Sequence, residues 1–213
     1  MNLPNKITLS RIFMIPVFVL FFFLKVVPFN YGIAAIIFIV AACTDFIDGY
    51  IARKYKLVTN LGKFLDPIAD KVLVSTAMML ILVMKDDLFV TLGAAAEGVY
   101  IATAVCICVI MARELIISAF RQIAATKNLV MAADKLGKIK TTFQDISIFV
   151  IILAGGIAGF NKPIESPVPW DKYASYVLIA GLVLFAIATI FTIWSGISYV
   201  VKNRRVLKDE TAE

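Results

Sequence analysis

Nearly unbroken apolar stretches, at about 12–24, 31–52, 68–84, 88–112, 141–160 and 173–201, alternate with short polar breaks along the chain. Crossing the hydrocarbon core of a bilayer takes about 20 mainly apolar residues in a helix. The pattern therefore predicts an all-α integral membrane protein with six transmembrane helices. The polar opening "NLPNKITLSR" predicts a short interfacial helix before the first span. The breaks differ in chemistry: "KVVPFN", "MKDD" and "NKPIESPVPWDK" are short and carry Pro or Asp, whereas "RKYKLVTNLGK" and the stretch 113–140 are rich in Lys and Arg. Six spans occupy nearly all of the chain, so residues 1–213 are expected to form a single membrane domain.

Composition agrees with this pattern. The chain is 61% hydrophobic and 17% charged, with a mean hydropathy of +0.91, against roughly 45–50% apolar residues in a soluble domain. The N-terminal apolar stretch has a basic start but no small-residue cleavage site, and a second span follows closely, so it is expected to be retained. Histidine is absent, which removes imidazole acid–base chemistry and leaves carboxylates, Lys, Arg and Tyr as the principal chemical groups. Cys43, Cys106 and Cys108 lie in apolar runs without zinc-type or redox-type spacing; they are read as small hydrophobes.

Charge sets the expected orientation. With both termini on one face, only Lys25, Lys85, Lys162 and Lys172 of the 21 Lys and Arg residues fall on the other. By the positive-inside rule the basic face is cytoplasmic, so both termini are expected there. Such basic loops also attract anionic lipid headgroups, a role that suffices for Lys202 to Lys208.

On that same face stand four acids: Asp45 and Asp48, three apart near the end of the second helix, and Asp66 and Asp70, four apart at the start of the third. Each pair shares a helical face, and the polar loop between the helices allows the two faces to meet. A carboxylate at the centre of a membrane helix costs about 2.5–3.5 kcal/mol on insertion scales. Two carboxylates at about 4 Å add a repulsion of about 1–4 kcal/mol. The cluster therefore calls for a counterion, and an all-oxygen donor set suits hard divalent cations. Four carboxylates suffice to hold two such ions, an arrangement suited to phosphoryl oxygens. Gly49 and Ala52 leave the helix surface bare beside the acids, and Arg53 can offer a planar fork to a phosphate. Asp66–Pro67 also fits a plain helix start, with Asp66 as N-cap.

The pattern Asp45-x2-Asp48-Gly49-x2-Ala52-Arg53-x8-Gly62-x3-Asp66-x3-Asp70 resembles the signature of the CDP-alcohol phosphotransferases at all eight defined positions. The resemblance implies transfer of a phosphatidyl-type group from a CDP-linked lipid to an alcohol, with release of CMP. It further implies that Asp45, Asp48, Asp66 and Asp70 hold two divalent cations, Mg²⁺ or Mn²⁺, and that Asp70 is the base toward the acceptor hydroxyl. Gly49, Ala52, Arg53 and Gly62 map onto the CDP-lipid site, with Asn5 and Thr8 as further candidates for nucleotide contact; capping of the interfacial helix is their other reading.

"ARELIISAFRQ" at 112–122, "GKIKTTFQ" at 137–144 and "NLPNKITLSR" are similar to segments of the phosphatidylglycerophosphate synthase subgroup. That likeness implies CDP-diacylglycerol as donor and glycerol 3-phosphate as acceptor, with Arg113, Arg121, Lys135, Lys138 and Lys140 as candidate contacts to the acceptor phosphate. For Arg113, pairing with the adjacent Glu114 is the alternative. Inositol phosphate would need cations equally, so charge alone leaves the acceptor open. The family also implies a homodimer in the plasma membrane with its active site facing the cytoplasm; membrane lipids are expected partners, and a nucleic acid is not. A polyprenyl transferase would leave the Gly-x2-Ala-Arg insert without a role, and a cation transporter would place its acids along a path near the midplane.

Overall fold

The computed structural model describes residues 3–27, 29–55, 60–126, 135–159 and 168–203; within them the side chains of 3–6, 45–53, 60–61, 63–64, 125–126, 135–136 and 138 lie outside the description. The described residues are helical throughout apart from short turns, with no strand among them. In order the helices are α1 Leu3–Phe23, α2 Asn30–Lys54, α3 Asn60–Val83, α4 Ala96–Thr126, α5 Lys135–Gly159 and α6 Trp170–Lys202, with a 3-10 segment Phe89–Ala95 leading into α4.

At 1.5 Å per residue, helices of 21 to 33 residues span about 30–50 Å. Among the described residues, three stretches are both long and apolar enough to cross a membrane: Phe89–Ala124, Ile139–Gly159 and Trp170–Lys202. Ile7–Phe23 and Asn30–Thr44 are shorter apolar helical stretches. The apolar runs thus mark where helices lie, but the helices outrun them. α1 is continuous from Leu3 to Phe23, so no separate interfacial helix precedes it among the described residues. α3 begins at Asn60 and carries Pro67 in its interior, so Asp66 is not an N-cap. The basic stretch from 113 onward continues α4 as far as Thr126. Hydropathy registers lipid contact, whereas Ala, Glu, Gln, Lys and Arg extend a helix into polar surroundings by propensity.

Side-chain contacts show how the helix ends meet. Tyr31 at the start of α2 donates its hydroxyl to Asp87 Oδ2 at 2.6 Å, and Lys25, just past α1, lies 3.4 Å from the same oxygen. Lys85, just past α3, pairs with Glu97 at the start of α4 at 2.9 Å. At the opposite end Thr8 of α1 meets Asp66 of α3, Lys71 of α3 meets Ser118 of α4, Glu114 of α4 meets Lys140 of α5, and Arg113 of α4 meets Ser195 of α6. Consecutive helices therefore run alternately up and down. The starts of α1, α3 and α5 share one end of the bundle with the ends of α2, α4 and α6.

The interior joins Phe18 and Phe22 of α1, Ala34 and Phe38 of α2, Met78 and Ile81 of α3, Ile110 of α4, Ile148 and Ile151 of α5 and Phe185 of α6. Two close approaches require small residues. A Cβ on Gly156 of α5 would stand 2.5 Å from the Gly32 nitrogen of α2, and one on Gly181 of α6 would stand 3.1 Å from the Ile151 nitrogen of α5. Bare backbone at these crossings seats α5 between α2 and α6, as small residues do in membrane bundles. Outward faces carry Leu115, Ile190, Trp194 and Ile197, all exposed, while Arg11, Lys140, Gln144 and Ser195 are buried. In water that arrangement would expose a large sticky surface. In a bilayer it presents apolar groups to lipid and keeps polar groups inside.

Candidate active site

The last turns of α2 carry Asp45, Asp48, Gly49, Ala52 and Arg53. These are side chains outside the description, so the full carboxylate cluster predicted from the sequence lies partly beyond the described residues. The same holds for Asn5 in α1 and for Lys135 and Lys138 at the start of α5. The other half of the motif is described. Gly62 is buried near the start of α3, and Asp66 and Asp70, one helical turn apart, are both half-buried.

Asp66 Oδ1 accepts a hydrogen bond from Thr8 Oγ1 at 2.6 Å. Thr8 is 1% exposed, so this bond sits away from solvent, where a charge-assisted contact is strongest. It uses only part of the acceptor capacity of a carboxylate. One turn further along α1, Arg11 is 0% exposed. Its Nε donates to Thr44 Oγ1 at 3.3 Å, and Thr44 immediately precedes Asp45. A buried guanidinium needs a compensating partner, and its bond to Thr44 places Arg11 against the last turns of α2.

Asp70 lines a cleft of about 160 Å³ between α3, α4 and α5. Its walls include Lys71, Ser75 and Met78 from α3, Glu114 and Ser118 from α4, and Lys140, Gln144 and Asp145 from α5. The spacing explains the alignment. Asp70, Val74 and Met78 recur every four residues on α3, as Lys140 and Gln144 do on α5, so each set occupies one helical stripe.

Lys140 is 1% exposed, and its ammonium pairs with Glu114. The same Glu114 Oε1 accepts from Arg113 Nη1 at 3.1 Å. Lys71 Nζ donates to Ser118 Oγ, and Ser118 Oγ donates to the Glu114 carbonyl at 2.6 Å. Lys140 from α5 and Lys71 from α3 thus both border the Asp70 cleft, joined through Glu114 and Ser118 of α4.

Of the candidate phosphate contacts, Lys140 is brought into the Asp70 cleft. Arg113 and Arg121 point toward α6 instead. Arg113 Nη2 donates to Ser195 Oγ at 3.0 Å, and Arg113 borders an apolar groove formed with Ile116, Ile193 and Ile197. Arg121 Nε donates to Tyr199 OH at 3.4 Å, with its guanidinium 5.7 Å from that ring centre. Arg11 counts in the sequence only as a topology charge and Gln144 stands there only inside a longer segment; the Arg113–Glu114 pairing weighed from the sequence is present at 3.1 Å, while the Glu114–Lys140 pair could not be read from it. The signal for Arg11 was its position one turn after Thr8 in an apolar helix. For Gln144 and the Glu114–Lys140 pair, packing between helices is a tertiary fact.

Comparison with known proteins supplies the family. The profile of the CDP-alcohol phosphatidyltransferase family matches residues 1–201. The chain is 39% identical to the CDP-diacylglycerol–glycerol-3-phosphate 3-phosphatidyltransferase of Bacillus subtilis (strain 168), over 97% of both chains. It is 38% identical to the enzyme of the same name from Escherichia coli (strain K12), over 98% of both, and 37% identical to that of Shigella flexneri serotype 5b, again over 98% of both. With the family match running nearly end to end and all eight signature residues in place, the chain belongs to the CDP-alcohol phosphatidyltransferase family.

Proposed function

We propose that this protein transfers the phosphatidyl group of CDP-diacylglycerol to sn-glycerol 3-phosphate, giving phosphatidylglycerol phosphate and CMP. The observation that carries this reading is near-full-length identity of 38–39% to enzymes bearing that name. The Asp70 cleft supports it, with the Asp70 carboxylate on α3 and the Lys140 ammonium on α5.

In the reaction the terminal hydroxyl oxygen of glycerol 3-phosphate forms a bond to the β-phosphorus of the donor. The bond from that phosphorus to the CMP oxygen breaks, and CMP leaves with the electron pair. Asp70 accepts the hydroxyl proton as the new bond forms. Gly49, Ala52, Arg53 and Gly62 seat the CDP moiety, with Asn5 contributing to the nucleotide site and Thr8 orienting Asp66. Lys140 faces the acceptor phosphate, and Lys135 and Lys138 supply further positive charge at the start of α5. Arg113 shares Glu114 with Lys140, while Arg121 is held on the α6 side by Tyr199.

Asp45, Asp48, Asp66 and Asp70 would hold two divalent cations, Mg²⁺ or Mn²⁺. The donor chemistry fits, being carboxylate oxygen throughout, and Asp66 is already oriented by a buried hydroxyl. When bound, such ions neutralise the diphosphate and stabilise the departing CMP.

Six spans with both termini and the site on the cytoplasmic side of the plasma membrane accord with the excess of Lys and Arg at that end. The chain is then a single membrane domain, and the exposed apolar faces suit lipid contact and a homodimer. The test is CMP release from CDP-diacylglycerol with glycerol 3-phosphate, inositol phosphate, inositol, serine or phosphatidylglycerol as acceptor. Glycerol 3-phosphate alone should support turnover, and preference for any other acceptor would overturn the assignment.

A further inference from the structure

Gln144 is 3% exposed and lines the cleft that contains Asp70 and Lys140. Its amide nitrogen faces only the Met78 sulfur, at 3.8 Å, and its Oε1 has no hydrogen-bond partner among the described residues. Buried polar side-chain atoms are normally satisfied; among the described residues Gln144 Oε1 is sealed and without a partner beside the cleft, an unmet acceptor that a ligand donor reaches once the amide turns toward the cleft. Exchanging the amide nitrogen and oxygen would leave the other end facing sulfur and still unsatisfied. The neighbouring Ser147 does not serve the amide, because its hydroxyl donates to the Gln144 main-chain carbonyl at 2.7 Å.

The position of Gln144 suggests what that donor is. It follows Lys140 by one helical turn on α5, so the two side chains stand about 5–6 Å apart at Cβ. That spacing lets one small molecule reach both side chains, with its phosphate toward Lys140 and the hydroxyl of the adjacent carbon toward Gln144. Side chains on a helix lean toward its N-terminus. The N-termini of α3 and α5 lie at the same end of the bundle, so Gln144 and Met78 both lean toward the level of Asp70.

Resting on the glycerol 3-phosphate reading above, we propose that Gln144 is a specificity-determining residue whose amide accepts a hydrogen bond from the non-reacting C2 hydroxyl of the acceptor. Lys140 holds the phosphate, Asp70 meets the reacting hydroxyl, and Gln144 reads the carbon between them. An acceptor with the same phosphate and terminal hydroxyl but no C2 hydroxyl leaves the amide unpaired and is discriminated against.

The test compares kcat/KM for glycerol 3-phosphate and 1,3-propanediol monophosphate, scored by CMP release, in the wild-type protein and in Gln144→Met. Wild type should favour glycerol 3-phosphate by about tenfold or more, the worth of one desolvated hydrogen bond. In Gln144→Met that ratio should fall below about threefold, through loss with glycerol 3-phosphate rather than gain with the deoxy acceptor. A wild-type ratio near one overturns the proposal without any variant. So does an unchanged ratio in Gln144→Met, which would mean that water alone satisfies the amide. If Gln144→Met does not fold, Gln144→Asn, which withdraws the amide by one methylene, replaces it under the same criterion. Failure of the underlying reading is separable, because it shows as absent turnover of wild type with glycerol 3-phosphate while another acceptor is used; the Gln144 assignment falls with it.

Discussion

Thr8, near the start of α1, donates its hydroxyl to Asp66 of α3 across 58 residues of sequence, at 2.6 Å, from a side chain that is 1% exposed. The N-terminal helix is thereby part of the acid site, and the bond restricts the rotation of a carboxylate assigned to hold a cation. Thr8→Val keeps the side-chain shape and removes the donor. Groups that orient metal ligands affect metal affinity or activity by about 10–100-fold, so the Mg²⁺ concentration giving half-maximal CMP release should rise by at least tenfold with little change in thermal stability. An unchanged Mg²⁺ requirement would remove Thr8 from this role.

The Glu114–Lys140 pair bridges α4 and α5 with its ammonium almost fully buried. Removing one partner of a buried pair leaves an uncompensated charge, at about 3–5 kcal/mol, whereas replacing both by apolar groups is often neutral. Glu114→Gln should therefore melt well below wild type in detergent, and Glu114→Gln combined with Lys140→Met should regain most of that loss. The double variant should still be inactive with glycerol 3-phosphate, since the phosphate contact is gone. Recovery of activity along with stability would make Lys140 purely structural.

Two glycines on α5 provide a matched comparison. At Gly156 a Cβ would meet the Gly32 backbone at 2.5 Å, while at Gly159 it would meet nothing within 4 Å. Backbone cannot rotate aside as a side chain can, so Gly156→Ala should cost about 1–3 kcal/mol. Gly159→Ala should be neutral or slightly stabilising. Thermal unfolding of the two variants in the same detergent checks this; equal melting temperatures would contradict the close crossing of α2 and α5.

Much of this organisation was legible in the sequence, for physical reasons that also mark where legibility ends. Long apolar runs have few alternatives to membrane helices, so the order of α1 to α6 follows from them. Their ends do not, because the charged turns from Asn60 and those running to Thr126 remain helical although their polar residues interrupt the apolar runs. The aspartates stood out because carboxylates are costly in a membrane chain, and their spacing on two helices already implied a shared site. Arg113, Arg121 and Lys140 looked equivalent as charges; only the rotation of α4 and α5 against their neighbours sends two toward α6 and one into the cleft. The burial of Arg11 and Gln144 likewise depends on which helix packs over them.

Asp70 is assigned as the base, a role worth about 10²–10⁴-fold in rate. Asp70→Asn should reduce CMP release by at least that factor while CDP-diacylglycerol binding remains measurable. Chelation with EDTA should stop wild-type turnover, and added Mg²⁺ or Mn²⁺ should restore it. A near-normal rate in Asp70→Asn would exclude this residue as the base, and turnover undiminished by exhaustive chelation would exclude a required divalent cation.

The most direct test of the central claim is a single incubation of purified protein with CDP-diacylglycerol, glycerol 3-phosphate and Mg²⁺, following CMP and the lipid product together by mass spectrometry. Phosphatidyl transfer to glycerol 3-phosphate predicts equal amounts of CMP and phosphatidylglycerol phosphate, with neither formed when glycerol 3-phosphate is omitted. CMP released without that lipid, or no CMP at all from folded protein, would contradict it.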